Sequence, residues 1–256
     1  MAQFPNAQDF VSQVLPELQN SRPQPLGAGG KASWISRGRW DTACIKLRGS
    51  IREAPHYLRI ENADKTIAED RTKIIVEVFI SEPEDVEALE RLTERNVNEL
   101  VSNCGTYYPD MDPATAGTLI KSTHKKVLFQ KDGHKLQTKM TLEGKHAGVV
   151  LKKLPVPKTE ANPTGSVSVR SRWEDIVAPC EVEIVLTILG IHFGAPPTSS
   201  MMHRIKFLKF SESCELDPFT GLPVASGAEP MVEDALPPPV SRTQSAFFPE
   251  EGVQSM

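Results

Sequence analysis

From Thr42 to Phe210 the chain keeps returning to one pattern: short segments of alternating or β-branched residues, cut by turn residues. A period of two places successive side chains on opposite faces, which suits a strand half-buried on a core and excludes a helical bundle. The segments are Thr42–Arg48 (TACIKLR), His56–Glu61 (HYLRIE), Thr72–Ile80 (TKIIVEVFI), Val127–Gln130, Lys135–Leu142 (KLQTKMTL), Ala147–Leu151, Ser166–Arg170 (SVSVR), Cys180–Phe193 (CEVEIVLTILGIHF) and Met202–Phe210 (MHRIKFLKF). Asp132-Gly133 and Glu143-Gly144 between the lysine-rich segments predict hairpin turns. One helix is predicted over about 83–101, from Val86, Leu89, Leu92, Val97, Leu100 and Val101 on one face and a capping-box pattern of Ser81 and Glu84 around Pro83. Cys104–Pro113 (CGTYYPDMDP) reads as a turn-rich loop. Many short strands with a single helix predict a mainly β fold, an antiparallel barrel or sandwich, for which we adopt an OB-like barrel.

The ends differ from this middle. Residues 1–30 read as a lead-in and linker: Phe10, Val14 and Leu18 have helical spacing, Pro16 limits the helix, and Ser21–Gly30 (SRPQPLGAGG) has linker composition. Residues 31–210 form the predicted domain. After Phe210 the periodicity stops, and residues 211–256, with Pro237-Pro238-Pro239, read as a disordered acidic tail. The cysteines, Cys44, Cys104, Cys180 and Cys214, lie far apart with no Cys-x-x-Cys pair, which argues against structural zinc and a disulfide framework. No apolar run approaches the ~20 residues of a membrane span, and no basic segment leads into an apolar one at the start. The expected setting is intracellular and soluble, with no membrane partner.

Charge carries the functional signal. Between Lys121 and Lys158 ten lysines face only Asp132 and Glu143, whereas from Ser211 to Met256 eight acids face Arg242 alone. The net charge of −4 conceals both. In Lys135–Leu142 the alternation predicts Lys135, Gln137, Lys139 and Thr141 on one face and Leu136, Thr138, Met140 and Leu142 on the other. With Lys125, Lys126, Lys131 and Lys145 around the turns, such a face would lay a row of ammonium groups along a phosphodiester backbone. Stacking platforms would complete the site. Phe129 lies within this region, and Trp34, Trp40, Tyr57, Tyr107, Tyr108 and Trp173 lie elsewhere. Trp40 and Tyr57 stand out because they adjoin Arg37, Arg39 and Arg59, and Lys31–Trp40 (KASWISRGRW) forms a second basic-aromatic patch. In the tail, Phe247, Phe248, Glu250 and Glu251 suit a small pocket with a basic rim.

Catalytic patterns are absent. Gly27–Lys31 (GAGGK) lacks the phosphate-loop spacing, and His124, His134 and His146 match no metal-ligand spacing and read as surface histidines in a basic region. No nucleophile–base pattern is present, so neither an enzyme nor a cofactor is expected.

The block CEVEIVLTILGIHFG (180–194), followed by SMMHRIKFLKF (200–210) and an acidic tail, resembles the end of the OB-fold core in single-stranded-DNA-binding proteins of large eukaryotic DNA viruses, a group related to the replication type of some phages. The resemblance implies a barrel that coats single-stranded DNA, as a homodimer, during replication, recombination or repair, with a tail that contacts replication proteins. It places the protein at replication sites in host cytoplasm or nucleus. The phage tail ends in an aromatic residue, whereas here Pro249–Met256 follow Phe248. The second reading of the same features is a viral or phage capsid-associated β-sandwich that uses its basic face for subunits or packaged genome.

Overall fold

A computed structural model describes residues 4–26, 30–37, 42–62, 64–130, 133–160 and 162–213. Its organising strand is β12, Cys180–Phe193. Ile184, Leu186, Ile188 and Ile191 have no solvent exposure, so this strand runs through the core. One edge pairs along its whole length with β13, Ser199–Ser213. The other edge is divided: Cys180–Ile188 pair with β4, Ala43–Ile51, and Gly190–Phe193 with β3, Lys31–Arg37. Gly190 marks the exchange of partners, since a Cβ there would lie 2.2 Å from the Ser33 carbonyl oxygen. Beyond β4 come β6 (Ile67–Ile80), β9 (His134–Thr141) and the short edge strand β8 (Leu128–Phe129). Beyond β13 come β10 (Val149–Pro155) and β11 (Ser166–Arg170).

The remaining strands are β1 (Leu18–Asn20) and β2 (Gln24–Pro25), both paired with β3; β5 (His56–Glu61), paired with β6; and β7 (His124–Lys125), paired with β13. The fold is mainly β, as the alternation predicts, and β5, β11 and β12 keep the predicted limits. The sheet is mixed, not antiparallel: β7 and β10 both run parallel to β13. It also remains open, because among the described residues no ladder joins the β8–β9 side to β13, β10 or β11. The hairpin predicted at Asp132-Gly133 joins β8 to β9. The one predicted at Glu143-Gly144 does not form. The chain turns there, but β10 pairs with β13 and β11 and not with β9.

Helix α1 (Ala7–Asp9) continues through a π-helical stretch, Phe10–Val14, and a 3-10 turn, Leu15–Glu17. The spacing of Phe10, Val14 and Leu18 reflects real burial, at 0%, 3% and 6% exposure, so this segment contributes to the common core and is not a detached lead-in. Helix α2 (Pro83–Ser102) covers the predicted 83–101 and buries Ala88, Leu89, Leu92 and Leu100. Its N-cap is Glu82, with no side-chain cap, so the predicted capping box does not form. Asp85 turns inward instead, where its Oδ2 accepts the Arg48 amide at 2.7 Å. The predicted loop 104–113 contains a helical turn, α3 (Cys104–Tyr107). A further helix, α4 (Pro113–Thr123), was not foreseen. Asp112 caps it by accepting from the Ala114 amide at 3.2 Å, and only Ala116 and Ile120, four residues apart, are fully buried along it. Among the described residues no helix is long and apolar enough to cross a membrane.

Candidate nucleic-acid interface

The alternation in β9 divides its faces as predicted: Leu136, Thr138 and Met140 are buried, Gln137 and Lys139 exposed. The outward face is not a row of free ammonium groups, however. Register sets Lys135 opposite Phe79 and Gln137 opposite Glu77 on β6. Lys135 Nζ lies 3.0 Å from Glu77 Oε2, and Gln137 Nε2 donates to Glu77 Oε1 at 2.8 Å. Burial pushes the Glu77 carboxyl up, but these two hydrogen bonds outweigh it and hold the group below the usual range. Lys135 is therefore already neutralised by a residue 58 positions earlier.

The other predicted site residues are dispersed. Lys126 lines a groove of about 370 Å³ between α2 and β8 whose other charged residues are Glu87, Glu90, Glu94 and Arg91, the last paired with Glu87. Lys125 is exposed on β7, opposite Ser200. Phe129 is 49% exposed and pairs across β8–β9 with Lys135, so it keeps an open aromatic surface. Tyr57 packs edge-on against Trp173 with ring centroids 5.0 Å apart, and both rings lie against the core. Tyr107 and Tyr108 are buried around Phe193. Arg37 Nε lies 2.6 Å from Glu17 Oε2, so this cation is also paired. Arg39, Trp40 and Lys131, and the tail residues Phe247, Phe248, Glu250 and Glu251, lie outside the described residues. His124, expected at the surface, is 6% exposed, with Nδ1 2.8 Å from Ser199 Oγ. Burial lowers its pKa to about 4.

Two predicted lysines, Lys139 and Lys145, do converge, on a seam where β9 and the turn after it approach β13. The His203 ring Nε2 lies 3.2 Å from the Gln137 carbonyl oxygen, linking the two strands without a ladder. Beside it, Arg204 Nη2 lies 3.2 Å from His146 Nδ1. His146 is fully exposed, yet its pKa is lowered, first by Arg204 and then by slight desolvation and by Lys145. The two charges among these causes, Arg204 and Lys145, both disfavour the protonated imidazole. Among the described residues no carboxylate pairs with Lys139, Lys145 or Arg204.

The cationic surface continues along β13. Lys206 sits at a bulge with its Nζ 5.3 Å from the centre of the Phe4 ring, and Phe4 packs against Phe207 at 5.4 Å between centroids. Both rings are only half-buried. Further along, Lys209 and Lys46 share Glu183, at 3.8 and 2.9 Å, and the excess charge ends. His146 stands at the surface of the basic region as the sequence predicts, whereas Arg204, Lys206, Phe4 and Phe207 escaped the sequence reading, although MHRIKFLKF already alternates basic with apolar residues. The described residues contain no group of three or more His, Cys, Asp or Glu placed to hold a metal ion. No protein-family model, curated protein or solved structure matches this chain.

Proposed function

We propose that this chain binds single-stranded nucleic acid, DNA in preference to RNA, along the seam between β9 and β13, as a non-enzymatic protein of DNA replication, recombination or repair. The observation that carries the reading is that Lys139, Lys145 and Arg204, along the seam, have no carboxylate partner among the described residues, with Arg204 3.2 Å from His146. Phosphates would replace water around these cations and release counterions. Phe4 and Phe207, beside Lys206, and the exposed ring of Phe129 supply apolar faces on which bases could stack. Five long strands in the order β13-β12-β4-β6-β9, with the outer two meeting through His203 and Gln137, support a distorted OB-like barrel as the finer reading of the sheet.

The acidic tail tunes this binding. Residues 214–256 carry seven acids and Arg242, a balance of −6; the net −4 of the whole chain minus −6 leaves +2 for residues 1–213. Removing the tail reverses the sign of the long-range field met by a polyanion. The test is a titration of labelled single- and double-stranded oligonucleotides with the full chain and with a chain ending at Ser213. Stoichiometric binding of single strands, tighter without the tail at low salt, supports the proposal. Absence of single-strand binding by both chains refutes it.

A further inference from the structure

Strand β5 has one paired edge and one open edge: among the described residues its only partner is β6. Natural edge strands are commonly blunted by charged side chains, Pro, bulges or shortness. β5 carries a bulge and the charges Arg59 and Glu61, whose opposite signs do not repel a second copy. His56–Glu61 (HYLRIE) has six residues and contains neither Pro nor Lys. A bulge between Tyr57 and Leu58 leaves Leu58–Glu61 as its regular part. That part belongs to a ribbon with little cover: Arg59, Ile60 and Glu61 of β5, and Ile67, Ala68 and Glu69 opposite them on β6, are all exposed. Ile60 is 45% exposed on one face of the ribbon, beside Ala68, and Ile67 69% exposed on the other, beside Glu61; two strands alone bury neither.

The order of side chains on this edge is self-complementary. If two copies meet antiparallel about a two-fold axis through Ile60, Ile60 faces Ile60 of the second copy. On the other face, Arg59 of each copy then lies opposite Glu61 of the other. Neither Arg59 nor Glu61 forms an ion pair among the described residues, so both are available. Within each hairpin Arg59 is also opposite Glu69, and Ile60 opposite Ala68. Across the joined ribbons one face would read Glu69–Arg59–Glu61–Ile67 in each row, and the other would carry a continuous Ala68–Ile60–Ile60–Ala68 stripe. A one-residue slip would set Ile60 against a charged residue and lose both the stripe and the reciprocal ion pairs.

We propose that β5 is a homotypic interface, by which two copies of this chain join edge to edge with Ile60 on the axis. The inference rests on β5 alone and is independent of nucleic-acid binding. Sedimentation equilibrium of the full chain without nucleic acid tests it. The wild-type chain is expected to dimerise in a concentration-dependent way. Glu61→Arg puts cations at both positions and Arg59→Glu puts carboxylates at both, so each variant alone sets like charges opposite each other and weakens dimerisation at least ~10-fold. An equimolar mixture of the two restores opposite charges at both contacts and recovers the dimer, which also shows that neither variant is misfolded. A monomeric wild-type chain, variants that dimerise like wild type, or a mixture no better than its components overturns the proposal. Loss of oligonucleotide binding alone does not touch it.

Discussion

Removing the unpaired cations of the seam should change the salt dependence of binding, and removing paired ones should not. Lys139→Ala, Lys145→Ala and Arg204→Ala together delete three cations that have no carboxylate partner among the described residues. For single strands the slope of log K against log salt falls by about 0.7 per phosphate contact, so the triple variant should flatten the slope by about 2. Between 50 and 200 mM salt, a fourfold range, its deficit relative to wild type should shrink by roughly 20-fold. The comparison is the triple variant Arg37→Ala, Lys46→Ala, Lys135→Ala, which removes as many charges from sites paired with Glu17, Glu183 and Glu77. Those cations are already compensated, and the slope should barely change. Fluorescence anisotropy of a labelled single strand over a salt series reads both variants, and circular dichroism checks that they fold. An unchanged slope in the seam variant, or equal flattening in the comparison variant, would refute the electrostatic reasoning and move the site elsewhere.

Two further predictions concern stability. The buried His124, with its pKa depressed to about 4 against 6.5 when unfolded, leaves the unfolded chain binding more protons between these values, so its share of stability is full above pH 6.5 and is lost as pH falls toward 4. That share is about 3 kcal/mol, and His124→Leu should flatten the acid limb of the urea midpoint against pH; a limb unchanged by the substitution would exclude His124 as its source. Phe10→Ala should cost about 3–5 kcal/mol by emptying a fully buried site, which thermal unfolding would register; a loss below 1 kcal/mol would mean that the N-terminal segment is not part of the core.

Element type was largely legible because it is a local property. The alternation in His56–Glu61, Ser166–Arg170 and Cys180–Phe193 locates three strands to the residue, and the apolar stripe from Val86 to Val101 locates α2. Helix α4 escaped because Pro113–Thr123 is made of small and polar residues with a single fully buried branched side chain, Ile120. Strand partners escaped for a different reason. The turn at Gly144 looks like that at Gly133, but the strand after it finds its partners in β13 and β11, which lie later in the chain. The same limit governs the charges. The lysine excess is visible in the sequence, but the carboxylate that cancels Lys135 comes from β6 and the acids around Lys126 from α2. The histidine and arginine that meet at the seam are 58 positions apart. Counting charges along the chain therefore located the basic region and misjudged which of its members are available.

The divided edge of β12 also sets the order in which the protein can be made. β4 meets β6 at only Gly49–Ile80 and Ser50–Phe79, so almost its whole ladder waits for Cys180–Ile188. About 130 residues separate Ile51 from Cys180, which at ~5–20 residues per second is roughly 6–26 s of translation. Throughout that interval the nascent chain carries Ala43–Ile51, rich in residues destined for the core, without its principal partner. β3 waits longer still, for the last four residues of β12. A strand that serves two earlier strands from near the end of the folded region makes final assembly a late, concerted event, and makes the half-synthesised chain a natural client for holding chaperones.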